Sequence, residues 1–313
     1  MTPLPKYTNQ ANKNLHIISL LTNERCDGQT LVNRQWLPRL GTGVLGFLVG
    51  YALSIPSGNN AVPPSGLVAP IAFRNRIDDA SWKCVSLFRG QPKNPKLSVE
   101  SGSQVGQDRT VLDIFKHKRD GTFLDLASND AVRLSNTVAL EQQHGWTGLC
   151  VEPNPLYTVG YIHRTCRLVQ AVVGPEDGLG VDFNFRGANG AFGGITGFDN
   201  KANNKTNTER HYTVSVGKIL RDFGMPRTID YLSLDIEGAE AWVFESFPWD
   251  AYIFLVATIE RPKPELKALL ENYGYKYLCN HGTFRDEMWV HETLPNFREV
   301  VGEYFGRKQC RGK

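Results

Sequence analysis

GTFLDLASNDAVRLSNTVALEQQHGWTGLCVEPNP, Gly121 to Pro155, is the stretch that decides the fold. Two short apolar runs, TFLDLA (Thr122 to Ala127) and GLCVE (Gly148 to Glu152), flank a segment with helical patterning, Val132 to Gln143. Continuous apolar runs of this length belong to strands covered on both faces, and strand, helix, strand in that order is a parallel βαβ unit. The same rhythm continues outward. LVQAVV (Leu168 to Val173), DYLSLDI (Asp230 to Ile236) and IFLVATIE (Ile253 to Glu260) add three strands, and Tyr212 to Phe223 and Pro264 to Tyr273 two helices, the second opening on a proline. YKYLC (Tyr275 to Cys279) and EMWVH (Glu287 to His291) predict an antiparallel pair around an N-H-G turn. The expected class is α/β, a mostly parallel sheet with a closing antiparallel hairpin.

In such sheets ligands sit beyond the carboxyl ends of the strands, where the strand order reverses. The first strand ends in Asp125-Leu126-Ala127-Ser128-Asn129-Asp130, whose small residues let a ligand approach the backbone. The second ends in Glu152, 27 residues after Asp125, where a carboxylate can accept from both hydroxyls of a ribose. A dinucleotide enzyme would use the same acid but needs a G-x-G-x-x-G loop for its pyrophosphate, and the chain has none. S-adenosylmethionine has the ribose without the phosphate and suits this pattern. The fourth strand ends in Ser233-Leu234-Asp235-Ile236-Glu237-Gly238-Ala239-Glu240, where period-two geometry turns Asp235 and Glu237 the same way.

Three segments, FLDLASNDAVRLSNT, GWTGLCVEPNP and YLSLDIEGAE, resemble the FkbM-type methyltransferase family over roughly residues 108 to 295, and HGTFRDEMWVH resembles its eukaryotic branch, which also resembles the Star protein. The resemblance implies a Rossmann-like class I methyltransferase fold and an S-adenosylmethionine-dependent O-methyltransferase. It puts Asp125, Ala127, Asn129, Asn136, Glu152 and Asp235 at the cofactor, with the D-I-E-G segment beside the reacting groups. Where the methyltransferase pattern has glycines, this chain has Ala127 and Asn129.

Asp235, Glu237 and Glu260 are the candidate catalytic residues, as general base or as orienting groups. Glu237 and Glu240 also fit as first-turn acids of the next helix, and Glu260 as a strand-end partner of Arg261. Asp235, Glu260 and His281 at successive strand ends could bind a divalent cation, but no dense ligand spacing compels it and no metal is expected. The glycine-rich stretch Gly187 to Gly197 reads as a mobile cover over the cleft, and Asn204-Lys205-Thr206 is a glycosylation sequon.

The 313 residues, 41% hydrophobic, can bury one sizeable core. A net charge of +3 without long single-sign blocks gives no reason to expect nucleic acid as a partner. The six cysteines form no C-x-x-C and suggest neither a disulfide scaffold nor a zinc site. Residues 1–36 read as a polar tail. Residues 37–56, with the uncharged run Leu40 to Ile55 behind Arg39, read as a signal anchor, and 57–80 as a Pro/Gly/Ser-rich stem. Residues 81–313 are the catalytic domain with a lead-in. That order predicts a single-pass type II membrane protein of the Golgi or another secretory compartment, its catalytic domain lumenal and its acceptor a hydroxyl of a glycan or small molecule. The alternatives are a membrane-tethered trafficking scaffold that keeps the fold without catalysis, and a nucleotide-sugar glycosyltransferase, for which Asp235-Ile236-Glu237 is a poor D-x-D motif.

Overall fold

A computed structural model of the chain describes residues 86–89, 102–185, 192–198, 208–282 and 285–310. These lie within one compact unit, Ile71–Lys313. The tail, anchor and stem lie outside the described residues. No helix among the described residues is long and apolar enough to cross a membrane.

An eight-stranded sheet carries the fold. Its strands are β1 (Ser86–Arg89), β2 (Thr122–Leu126), β3 (Thr147–Val151), β4 (Arg167–Gln170), β9 (Thr228–Leu234), β10 (Ile253–Glu260), β11 (Tyr275–His281) and β12 (Asp286–His291), in the order β1-β4-β3-β2-β9-β10-β12-β11. The middle strands β4, β3, β2, β9 and β10 are parallel, as the apolar runs predict. β12 joins β10 antiparallel and pairs with β11, which is the expected closing hairpin. β1 adds an antiparallel edge on β4. Side chains alternate between two cores. Leu124, Leu126 and Leu232 pack beneath helices α3 (Val216–Asp222), α4 (Glu240–Phe244) and α5 (Pro264–Asn272), while Phe123, Tyr231 and Val256 meet α1 (Gln107–Ile114), α2 (Val138–His144) and α6 (Phe297–Tyr304). Gly148 admits no side chain, because a Cβ there would run into the Phe123 carbonyl and ring.

Three expectations are corrected. Helix α2 starts at Val138, not Val132, because Asp130 Oδ1 accepts the Val132 and Arg133 N–H groups and Ser135 Oγ those of Thr137 and Val138. These side chains hold residues 130–137 in turns that compete with a helix. The segment Tyr212 to Phe223 is not one helix: β8 (Thr208–Ser215) precedes α3, and Ser215 Oγ caps α3 by accepting from Lys218 N–H at 3.3 Å. Tyr212, Thr213 and Val214 have β-type side chains, and that preference prevails. The run LVQAVV breaks at Ala171, where β5 (Val172–Gly174) leaves the main sheet for a second one, β5-β8-β6-β7, with β6 at Gly180–Asn184 and β7 at Gly194–Ile195.

The expectation of no disulfide scaffold is also corrected: Cys150–Cys166 and Cys279–Cys310, 16 and 31 residues apart in sequence, are bonded, because the fold and not their spacing brings them together. Cys310 is buried at the C-terminal end, where its carbonyl accepts from Thr110 Oγ1 and its N–H donates to Asn280. Loop-closure entropy sets the cost of cutting this second staple at about 3.7 kcal/mol. Cys310→Ser is therefore expected to lower the urea midpoint clearly, with no further loss on adding reductant to a Cys279→Ser/Cys310→Ser pair beyond that due to the first disulfide. An unchanged midpoint would mean that the staple contributes nothing.

Candidate active site

Strand order reverses between β2 and β9, and their carboxyl ends are tied together, Asp235 N–H donating to the Leu126 carbonyl at 3.4 Å. A cleft of about 340 Å³ opens there. Asp125, Ala127, Asn129, Asn136, Glu152, Asp235, Glu237 and Glu260 all line it, so the residues expected at the cofactor and at the reacting groups are gathered at one place.

Ala127 (φ 55°) and Asn129 (φ 53°) both adopt left-handed backbone. The loop therefore keeps a glycine-type path without glycines, at a cost for Ala127 of about 1 kcal/mol. Tyr161 holds it, its hydroxyl bonded to Ser128 Oγ (2.5 Å) and donating to the Asn129 carbonyl (3.1 Å). Asp125 is 3% exposed and accepts from Thr137 Oγ1 at 2.6 Å. Burial raises its pKa, opposed by the Thr137 bond and the Arg164 charge.

Glu152 is also buried. Its Oε2 accepts from Asn129 N–H (2.9 Å) and its Oε1 from Asn154 N–H (2.7 Å), which leaves each oxygen further lone-pair capacity toward the cleft. Burial pushes its pKa up to about 7 against those two bonds. Asn136 Nδ2 donates to Ser233 Oγ at 3.1 Å, while its Oδ1 has no partner, and neither has Asn154 Nδ2.

Across the switch point Asp235, Glu237 and Glu260 present oxygens within 4.8 Å of one another, near enough to share a cation. Arg261 supplies one, bonding Glu260 at 2.9 Å and approaching Glu237 at 3.5 Å. Glu237 sits at φ 55° before Gly238 at φ 91°, a tight turn that aims it back at the strand ends. The pKa of Asp235 is raised well above the carboxylate range by its enclosure, then by Glu260, which hydrogen-bonds it, and by Glu237. Asp235 is exposed at the cleft, and solvent there moderates the shift. The bland reading of Glu240 fits: it is buried, and its Oε1 accepts from Ile236 and Gly238 N–H at 3.1 Å. His281 does not join the acids; it is 2% exposed, and burial drops its pKa to about 4.

Sequence reasoning missed Asp286, Gln107 and Asn154, which line the same cleft. Asp286 pairs with Glu260 in the β10–β12 register and accepts from Gln107 Nε2 at 2.6 Å, and burial raises its pKa to about 6. Only the strand register could have placed it there. Of the glycine-rich stretch, Phe192 to Ile195 line the cleft; 186–191 and the sequon at 204–206 lie outside the described residues.

Asp125, Glu152, Asp235, Glu240 and Asp286 all bind protons more tightly folded than unfolded. The folded state therefore holds more protons above pH 4, and stability falls as pH rises through each folded pKa. His281, its pKa dropped by burial to about 4, opposes this between about pH 4 and the ordinary histidine value of 6.5, and burial of His144, His211 and His291 acts in the same sense. Above pH 6.5 the histidines no longer contribute, and the urea midpoint is expected to fall from pH 6.5 to pH 8 through Glu152 and Asp235, each unit of raised pKa being worth up to about 1.4 kcal/mol; a midpoint rising over that window would contradict the electrostatics of the cleft.

Among protein-family models, that of the Methyltransferase FkbM domain matches residues 113–277, more than half of the 313 residues. No curated protein matches the chain.

Proposed function

This chain belongs to the methyltransferase FkbM family, and from that we propose that it transfers a methyl group from S-adenosylmethionine to a hydroxyl group, with a glycan as acceptor. The observation that carries the reading is the meeting of Asp125 and Glu152 with Asp235, Glu237 and Glu260 in one cleft at the strand switch point. The cleft suits this cofactor. Glu152 offers carboxylate lone pairs for a ribose diol, and Asn136 Oδ1 is an acceptor without a partner.

When bound, the cofactor supplies an electrophilic methyl group on a sulfonium. The residues then have two tasks, alignment and proton removal. Glu152 and Asn129 hold the ribose side, while Asp125, fixed by Thr137, and Asn136, fixed by Ser233, hold the amino-acid side. Asp235, whose affinity for protons is raised by Glu260 and Glu237, takes the hydroxyl proton, and Arg261 limits the charge that builds up around it. The domain organisation proposed with this activity is a type II protein tethered through 37–56 in a secretory compartment, the catalytic domain lumenal. The uncharged run Leu40 to Ile55 supports the tether, and the two disulfides support an oxidising compartment.

Calorimetric titration of the full chain with S-adenosylmethionine tests the proposal. Micromolar binding is expected, weakened at least about 100-fold in Glu152→Ala and Asp125→Ala, since each removes a buried charged partner. A folded chain that binds no S-adenosylmethionine would leave a tethered scaffold as the better reading.

A further inference from the structure

We infer that Asp286, aimed by Gln107, binds a second hydroxyl of the acceptor, a role that rests on the hydroxyl acceptor proposed above. Along the sheet the cleft has two ends: Glu152 follows β3, while Asp235, Glu260 and Asp286 stand at β9, β10 and β12, on the other side of β2. Asp286 thus belongs with the reacting groups and not with the ribose acid. Its Oδ2 accepts from Gln107 Nε2 at 2.6 Å, the one hydrogen bond its side chain makes among the described residues. Gln107 is itself held, its Oε1 accepting from Val105 N–H at 3.1 Å. The amide is therefore fixed at both ends, and Oδ1 of Asp286 is left for an occupant of the cleft.

The surroundings decide what that occupant brings. Asp286 stands directly opposite Glu260 in the β10–β12 register, and like charges so placed are destabilising. Its other cross-strand neighbour, His281, is kept neutral by burial and supplies no charge. A pair that works against the fold while facing a cleft is explained by what enters the cleft. An anionic group there would meet Asp235, Glu237, Glu260 and Asp286 together, and an ammonium would meet Arg261 and the cofactor's sulfonium. A neutral hydroxyl escapes both penalties and can donate to Oδ1. β12 lies two strands from β9, roughly 10 Å away, so an acceptor that reaches both Asp235 and Asp286 carries its two hydroxyls on separate carbons of one compact body, as a sugar ring does.

The test uses the full chain, labelled S-adenosylmethionine and three kinds of acceptor: methyl glycosides of the common hexoses, their monodeoxy forms, and cyclohexanol, which has a single hydroxyl. For a hexoside that is methylated, one monodeoxy form that keeps the reacting hydroxyl is expected to lose about tenfold or more in kcat/KM, through KM, as for a lost hydrogen bond to a charged group. Cyclohexanol should do no better. In Asp286→Ala the parent sugar and that deoxy form should react within about twofold of each other, because the deleted side chain and the deleted hydroxyl are partners. Gln107→Met should keep part of the preference and raise KM more than it lowers kcat. The native comparison needs no variant to fold, and relief of Glu260 should leave the melting point of Asp286→Ala at pH 8 no lower than native. A native chain that treats every such deoxy form and cyclohexanol like the parent sugar would overturn the assignment. So would an Asp286→Ala chain that keeps the full preference, or one in which kcat and melting point fall while KM does not move. A chain that binds S-adenosylmethionine yet methylates no member of the panel would defeat the hydroxyl-acceptor reading itself, an outcome distinct from these.

Discussion

Arg164→Ala is expected to cost about 3–5 kcal/mol, the range for breaking a buried ion pair by removing one partner. Arg164 is fully buried. Its Nε donates to Glu141 (3.2 Å), Nη1 to the Ala131 carbonyl (2.7 Å) and to Ser135 Oγ (3.2 Å), and Nη2 to Thr137 Oγ1 (2.9 Å). Glu141 in turn accepts from the N–H groups of Thr165 and Cys166. Alanine would leave Glu141, 2% exposed, as an uncompensated buried charge and free the turns that carry Asn136 and that hold Asp125 through Thr137. Lysine restores the charge but not the fork, and is expected to recover less than half of the loss. Total domain stability is of order 5–15 kcal/mol, so the alanine variant should populate unfolded chain at ambient temperature. Urea unfolding decides the matter; a loss below about 1 kcal/mol would mean that the network is not a structural keystone.

For Asp235→Asn the expected result is a fall in kcat of about 10²–10⁴-fold, the usual contribution of a positioned proton acceptor. Cofactor affinity should change much less. The same substitution is expected to raise the melting point at pH 8, because it removes one of three carboxylates crowded within 4.8 Å. Lower activity with higher stability is the signature of a group kept for chemistry at the expense of the fold. If instead cofactor affinity collapses and kcat at saturation is unchanged, Asp235 orients the cofactor's amino-acid end and the proton acceptor must be sought in Glu260 or Glu237. If stability falls along with activity, Asp235 is a structural acid.

Local signals made much of this legible in advance. The five central strands are continuous apolar runs, and a strand buried on both faces has no other way to read. Asp125, Glu152, Asp235 and Glu260 stand at or just past the ends of those runs, and in a parallel sheet the ends of neighbouring strands meet whatever the loops do between them. Where neighbouring signals competed, the reading failed. Val132 to Thr137 carries helix-like spacing but also Asp130 and Ser135, whose side chains capture the backbone N–H groups first.

Sequence by itself thus determined the sheet, its closing hairpin and the acids at its switch point, because period and strand-end position are properties of short segments. Tertiary structure alone decided the rest. Asp286 faces Glu260 only through the antiparallel register of β12 on β10, and Arg164 reaches back 27 residues to Thr137 and 23 to Glu141. Ala171 ends a strand that the sequence would have continued, because a second sheet offers Val172–Gly174 a partner in β8. Each of these depends on which groups are already hydrogen-bonded when the chain is folded, and that accounting exists only in three dimensions.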